Sequence, residues 1–151
     1  MAYSSNIDKI LRNLKRREAN TMKAAEHGIK MGLRRYEARI ITHELSGRKG
    51  NKGLNRQSGD LSNSWSVDTK RQGKNVIGTL ATRAIYARIH QFGGIIVPRR
   101  AKKLVFKIGK KTIAADSVTM PKRLYILENF KKIGKNMIIK ELSKSLKAAI
   151  R

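Results

Sequence analysis

Ile7, Leu11, Leu14, Met22, Ala25, Ile29, Leu33, Tyr36 and Ile40 recur at steps of three, four or eight residues. Only a helix puts such positions on one stripe, so the first third of the chain is committed to a long amphipathic helix. Ser4 or Ser5 stands where an N-cap belongs, and the pattern ends around Leu45. Gly28 and Gly32 each cost about 1 kcal/mol in a helix interior, which predicts a bend near Glu18 or Gly28. A second stripe closes the chain: Leu127, Phe130, Ile133, Met137, Ile138, Leu142, Leu146 and Ile150. Lys140, Lys144 and Lys147 fall in its later turns, where they suit the negative end of the helix dipole.

Between the stripes the period changes. Trp65, Val67 and Thr69 alternate with Ser66, Asp68 and Lys70, Gly73 marks a turn, and Val76 to Ala81 reads as the returning strand. Ile95 to Val97 is a third strand, placed at an edge by Pro98. Leu104, Phe106 and Ile108 alternate with Val105 and Lys107, and Gly109-Lys110 turns the chain into Thr112 to Ala115, a long basic hairpin. Asp60 is placed to cap a short turn through Leu61 and Ser64, and Thr82 a second short helix bearing Ile85, Ile89 and Phe92. Gly93 fits the left-handed residue that ends it. The expected fold is α+β: an antiparallel β-sheet with a long hairpin, flanked by long N- and C-terminal amphipathic helices. Trp65, Ile85, Tyr86, Ile89 and Phe92 are expected to be buried against the two helical stripes.

A chain of 151 residues suits a single domain spanning 1–151. From Ser46 to Gln57 apolar side chains nearly vanish, and Gly47, Gly50 and Gly53 alternate with Arg48, Lys49, Lys52 and Arg56. Too little can be buried there to offset ordering entropy, so residues 46–59 are expected to form a mobile basic loop. With no cysteine there is no disulfide framework and no thiolate metal site. No apolar run approaches the roughly 18 residues of a membrane span, and Met1 to Lys9 lacks a secretory apolar stretch. A soluble product of a cell's cytoplasm is the expectation.

Charge is the second constraint. Thirty-five Lys and Arg against ten Asp and Glu give +25. Before Thr69 the balance is 14 basic to 7 acidic residues, and from Thr69 on it is 21 to 3, so the excess is concentrated in the second part. Such a surface attracts polyanions, either nucleic acid or an acidic protein face. The cations are spread over every segment, however, and no helix-turn-helix or zinc-finger spacing occurs. Sequence-specific recognition is thus disfavoured, whereas loose contact with a DNA backbone stays open.

Chemistry is weakly signalled. His27, His43 and His90 form no H-x-x-x-H or H-E-x-x-H pattern, and the Walker spacing is absent from the glycine-rich loop. Half of the ten acids, Asp8, Glu18, Glu26, Glu37 and Glu44, lie on the first helix, which makes a convergent catalytic pair improbable. No catalytic, metal or cofactor residues are expected.

Three ordered stretches remain: Ser58-Gly59-Asp60-Leu61-Ser62-Asn63-Ser64, then Tyr86-Ala87-Arg88-Ile89-His90-Gln91-Phe92-Gly93-Gly94, then Met120-Pro121-Lys122-Arg123-Leu124-Tyr125-Ile126. Together they resemble the virion morphogenesis (tail-completion, head–tail joining) proteins of tailed bacteriophages. The positions carrying the likeness are Ser58, Gly59, Leu61, Ser64, Tyr86, Ala87, His90, Gln91, Phe92, Gly93, Gly94, Pro121 and Arg123. Where that family has a Pro-x-Arg-Pro-Phe type segment, this chain has Leu124-Tyr125 in place of the final pair. The likeness covers roughly Ser58 to Arg151.

The resemblance implies a structural, non-enzymatic virion component of the neck or upper tail, made in the bacterial host cytoplasm. It implies a ring-forming homo-oligomer meeting connector or portal-side and tail-tube proteins, with weak contact to genomic DNA in the lumen. Connector, stopper and tail-terminator roles are equally compatible with it. In such a ring the five helix acids would face a neighbour's basic hairpin. Arg48, Lys49, Lys52, Arg56, Lys102, Lys103, Lys107, Lys110 and Lys111 would meet the partner protein or DNA. The competing expectation is a basic protein that binds nucleic acid non-specifically.

Overall fold

The computed structural model describes residues 2–46, 54, 59–108 and 110–150, with side chains from residue 6 onward. Its elements alternate helix and hairpin: α1 (Ala2–Arg39), α2 (Asp60–Asn63), β1 (Trp65–Gln72), β2 (Asn75–Thr82), α3 (Ala87–Phe92), β3 (Gly94–Ile96), β4 (Leu104–Ile108), β5 (Lys111–Ala115), β6 (Val118–Met120), α4 (Leu127–Asn129) and α5 (Lys135–Ile150). The fold is α+β. A π-helical turn, Ile40–Glu44, extends α1, and another, Phe130–Gly134, joins α4 to α5.

The frame is an antiparallel pairing of α1 with α5. Helix α1 runs unbroken from Ala2 to Arg39, so neither Gly28 nor Gly32 interrupts it. Their role is contact: a Cβ on Gly28 would lie 2.7 Å from Leu142 Cα, and one on Gly32 2.6 Å from Ile138 Cα. Two glycines one helical turn apart therefore let two backbones touch, and the entropic cost of glycine is the condition for that packing. The β1–β2 hairpin lies on another side of α1, where Gly78 leaves room for Ile29 and Leu33.

The strands form three separate two-stranded antiparallel sheets, β1–β2, β3–β6 and β4–β5, rather than the one sheet expected from the pattern. In β1 the half-buried residues are Trp65, Val67 and Thr69, as the alternation requires. The β3 partner, Val118–Met120, has only three residues, too short for period-two alternation to declare itself.

The core is small and sits at the C-terminal end of α1. Tyr36, Ile40, Leu45, Leu54 and Tyr125 are buried together, with Leu61, Trp65, Leu80, Ile126 and Met137 packed around them. Phe130 meets Tyr36 edge-on at a centroid distance of 5.6 Å. Gly134, on the π turn, gives the Tyr36 ring its space. The first half of α1 projects away from this core: every described side chain from Asn6 to Asn20 is exposed.

Candidate functional site

The second and third stretches of the motif, separated by residues 95–119, are brought into one layer beside the core. Gln91 is the connecting residue and is only 3% exposed. Its carbonyl accepts a hydrogen bond from Leu124 N at 3.0 Å, and its side-chain Oε1 accepts one from Ile126 N, also at 3.0 Å. The Tyr36 hydroxyl then donates to the Ile126 carbonyl, tying the layer to α1. One amide side chain thus holds the segment after Pro121 against α3.

Gly93 ends α3 with φ of 72°, and its N–H donates to the Ile89 carbonyl at 2.8 Å. A Cβ there would also meet Lys122 N at 2.8 Å and Met120 O at 2.9 Å. Both the conformation and the close strand approach demand glycine. Leu124 takes φ of 49°, the one positive value of a non-glycine among the described residues. Proline is locked near −65°, so the family's usual proline cannot occupy the backbone seen at this position. The departure at Leu124-Tyr125 thus goes with a backbone that excludes proline, while Tyr125 supplies the core aromatic at 4% exposure.

The first stretch is placed differently. Gly59, with φ of 86°, occupies the N-cap of α2, and Asp60 is the first helical residue rather than the cap. Ser64 Oγ donates to the Leu61 carbonyl at 3.0 Å and lies 2.7 Å from Thr82 Oγ1, pinning α2 to the far end of the β1–β2 hairpin. Thr82 Oγ1 also accepts from Ala84 N, so it organises the turn before α3 and does not cap that helix, whose N-cap is Tyr86. Ser58 lies outside the described residues, as do Arg48, Lys49, Lys52 and Arg56; of the loop 46–59 only Ser46, Leu54 and Gly59 are described, and Leu54 is buried in the core.

Burial of the motif departs from expectation. Ala87 and Gln91 face inward, whereas Ile85 is 95% exposed and Phe92 54%. Tyr86 is exposed too, edge-on to the His90 ring at 5.8 Å. Helix α3 spans only Ala87–Phe92, and its inward face falls on Ala87 and Gln91, one turn apart; Ile85, Tyr86 and Phe92, which looked like core, are exposed, and Ile89 is half-buried. Small and polar residues carried too little hydrophobic signal to announce which face was buried.

His90 is half-buried, and desolvation, with the Arg123 guanidinium as a second cause, pulls its imidazole below the usual histidine range. Tyr36 is pushed up to about 12 by burial and then by the charge of Glu44, and Tyr125 to about 12 by burial alone. Arg123 Nε and Nη1, His90 Nδ1 and Gln91 Nε2 are buried without a protein hydrogen-bond partner. They lie in the polar layer between α3 and the segment after Pro121. Among the described residues no three His, Asp or Glu side chains are grouped to hold a metal.

Of the helix acids, Asp8 and Glu18 are exposed and Glu26 and Glu37 half-buried. Glu44 is 7% exposed and belongs to the interior of the subunit, where its carbonyl accepts from Leu54 N; its expected place on an outer interface is corrected accordingly. Glu141, not singled out from the sequence, is also buried and pairs with Arg35 at 2.6 Å. Lys102, Lys103, Lys107, Lys110 and Lys111 are all exposed on and around the β4–β5 hairpin, with Lys103 3.9 Å from Asp116. No described helix is long and apolar enough to cross a membrane.

The model of the phage virion morphogenesis family matches residues 34–147, three quarters of the chain. The chain belongs to the phage virion morphogenesis family. Membership supports a structural role in the phage virion rather than catalysis. The match begins at Arg34, so it takes in the core, the motif layer and α5 but leaves out the projecting half of α1. No curated protein and no solved structure matches the chain.

Proposed function

We propose that this virion protein completes the phage tail at the head–tail junction by assembling as a ring of identical subunits. The observation that carries the reading is the imbalance between a small core and a large exposed apolar surface. Few large side chains are buried, while Ile85, Phe92, Ile95, Val97 and Val105 stand between 54% and 95% exposed. A family of virion components offers the cover such side chains need, since contiguous exposed apolar surface marks association sites. The +25 charge then serves docking rather than self-association. Cationic residues such as Lys102, Lys103, Lys107, Lys110 and Lys111 meet an acidic face of the connector, portal-side or tail-tube protein. Contact with genomic DNA in the lumen is weak and screened, since a conduit that gripped DNA would hinder its passage.

The competing function, non-specific nucleic-acid binding, predicts different behaviour in solution. Native mass spectrometry and negative-stain imaging of the purified protein, free of nucleic acid, should show a closed ring. Locating the chain by cryo-EM in the neck or upper tail of assembled particles completes the test. A monomer or dimer that binds any duplex in a steeply salt-dependent way would establish the other function instead.

A further inference from the structure

Two parts of the subunit carry apolar side chains that the described residues leave wholly or partly uncovered. The first is the projecting arm of α1. On it Ile7, Ile10, Leu11 and Leu14 follow helical spacing and are 57, 58, 49 and 56% exposed. Glu18 is one further turn along the same stripe, while Lys9, Arg12 and Arg16 form their own stripe on the opposite side. The second is the β4–β5 hairpin, whose strands pack extensively only on each other among the described residues. Its pairing puts Leu104, Phe106, Ile108, Ile113 and Ala115 on one face, all half-buried except Ile108 at 60% exposure, with Lys111 beside Ile108 at the tip. A lone two-stranded hairpin is marginal in water, and a helix draws most of its stability from packing an apolar face.

The two faces match each other. Ile7 to Glu18 spans eleven residue steps, about 16 Å at the helical rise, and the four steps of β4 span about 13 Å as a strand, so the hairpin can cover most of the arm's strip. Each strip is apolar for most of its length and ends in one charge, Glu18 on the arm and Lys111 on the hairpin, of opposite sign. The arm's own basic stripe points away from this contact. We infer that the arm of one subunit lies across the β4–β5 hairpin of the next, with Glu18 against Lys111. Arm-to-arm pairing is the weaker solution, because the heptad pattern fails after Leu14, where Arg17 takes the next core position, and coiled coils need three or four heptads. A contact between two different surfaces propagates from copy to copy and closes when the rotation permits. This inference rests on the ring reading and names the surfaces that would build it.

The chain has no cysteine, so single thiols can be placed without background. Full-length Glu18→Cys and Lys111→Cys proteins, mixed and oxidised, should give the mixed disulfide dimer in excess over either homodimer by intact mass. Separately, Glu18→Lys or Lys111→Glu should raise the midpoint concentration of assembly about fivefold in sedimentation velocity. Combining both reversals in one chain should return it close to the wild-type value. Both residues are exposed, so circular dichroism should report unchanged folds. If wild type forms rings but neither the mixed disulfide nor the charge rescue appears, the arm contact is wrong and the ring stands. A wild type that stays monomeric at all concentrations removes the ring and the arm contact together. Dominant Glu18→Cys homodimers mean that arms pair with each other, which also overturns the inference.

Discussion

Gly32 faces the backbone of Ile138 so closely that a methyl on the glycine would come within 2.6 Å of Ile138 Cα. Alanine would gain about 1 kcal/mol of helix propensity at this position. It would also force apart two helices that meet over their backbones, and overpacking of that kind costs about 1–3 kcal/mol. The obstacle is main chain, which cannot swing aside as a side chain can. Gly32→Ala should therefore lower stability despite the better propensity, measured as a lower urea midpoint. An unchanged or higher midpoint would mean that α1 and α5 are not in backbone contact.

Gln91 offers a second test, on the motif layer. Its Oε1 is the acceptor for Ile126 N, and the residue is nearly inaccessible to water. In Gln91→Leu the volume is roughly kept but that N–H loses its partner, a loss of about 1–3 kcal/mol. Gln91→Glu keeps an acceptor but buries a charge, so it should be destabilising at neutral pH and recover as the solution becomes acidic. Equal stability of all three proteins would detach the amide from this role.

Legibility differed between elements for physical reasons. Both long helices and both long hairpins announced themselves, because stripes and alternations extended over five or more residues are hard to produce otherwise. The turn residues Gly73 and Gly93 were equally readable, each having positive φ. The purpose of Gly28 and Gly32 was not, since a helical glycine has the same local cost whether it bends the helix or admits a neighbour. Nor could hydrophobicity reveal that Gln91 faces in and Ile85 out. The family motif marked which segments matter, but the partnership of Gln91 with Ile126 is a long-range hydrogen bond that no local pattern encodes. Residues such as Glu44 looked like surface charge on the helix and proved to be interior.

Leu124 provides a further check on that layer. Its φ of 49° is forbidden to proline, and its N–H donates to the Gln91 carbonyl. Leu124→Pro, which would restore the commoner family residue, should cost more than about 3 kcal/mol by removing the donor and forcing the backbone elsewhere. Thermal denaturation followed by circular dichroism would reveal it. A protein of wild-type stability would mean that the segment adopts the family's backbone already.

The buried titrating groups give stability a defined pH dependence. His90 is held below its ordinary range, so the unfolded chain takes up a proton more readily than the folded one. Its contribution is complete above about pH 6.5 and is lost as pH falls through that value toward the folded pKa. Tyr36 and Tyr125, raised to about 12, work at the other end. The unfolded phenols ionise near pH 10 while the folded ones do not, so stability should fall between about pH 10 and 12. His90→Gln should flatten the acidic limb, and Tyr36→Phe combined with Tyr125→Phe the basic limb, in urea midpoints recorded across pH. Limbs that survive these substitutions would assign the dependence to other groups.

Phe92 separates folding from assembly. Truncating a buried phenylalanine costs about 3–5 kcal/mol, which is the outcome expected had this ring filled the core. At 54% exposure most of that penalty is absent, and Phe92→Ala should shift the folding midpoint by no more than about 1 kcal/mol. Its neighbours Ile95 and Val97 are more exposed still, so together they present an apolar edge beside the motif. If that edge is covered in the assembled virion, the triple substitution Phe92→Ser, Ile95→Ser and Val97→Ser should leave a folded monomer that no longer associates. Sedimentation velocity reads the association and urea denaturation the fold, on the same preparations. A triple variant that assembles normally would place the subunit contact elsewhere on the surface. One that fails to fold would show instead that these side chains support the motif layer from outside, which the single Phe92→Ala protein would register as a loss well above 1 kcal/mol.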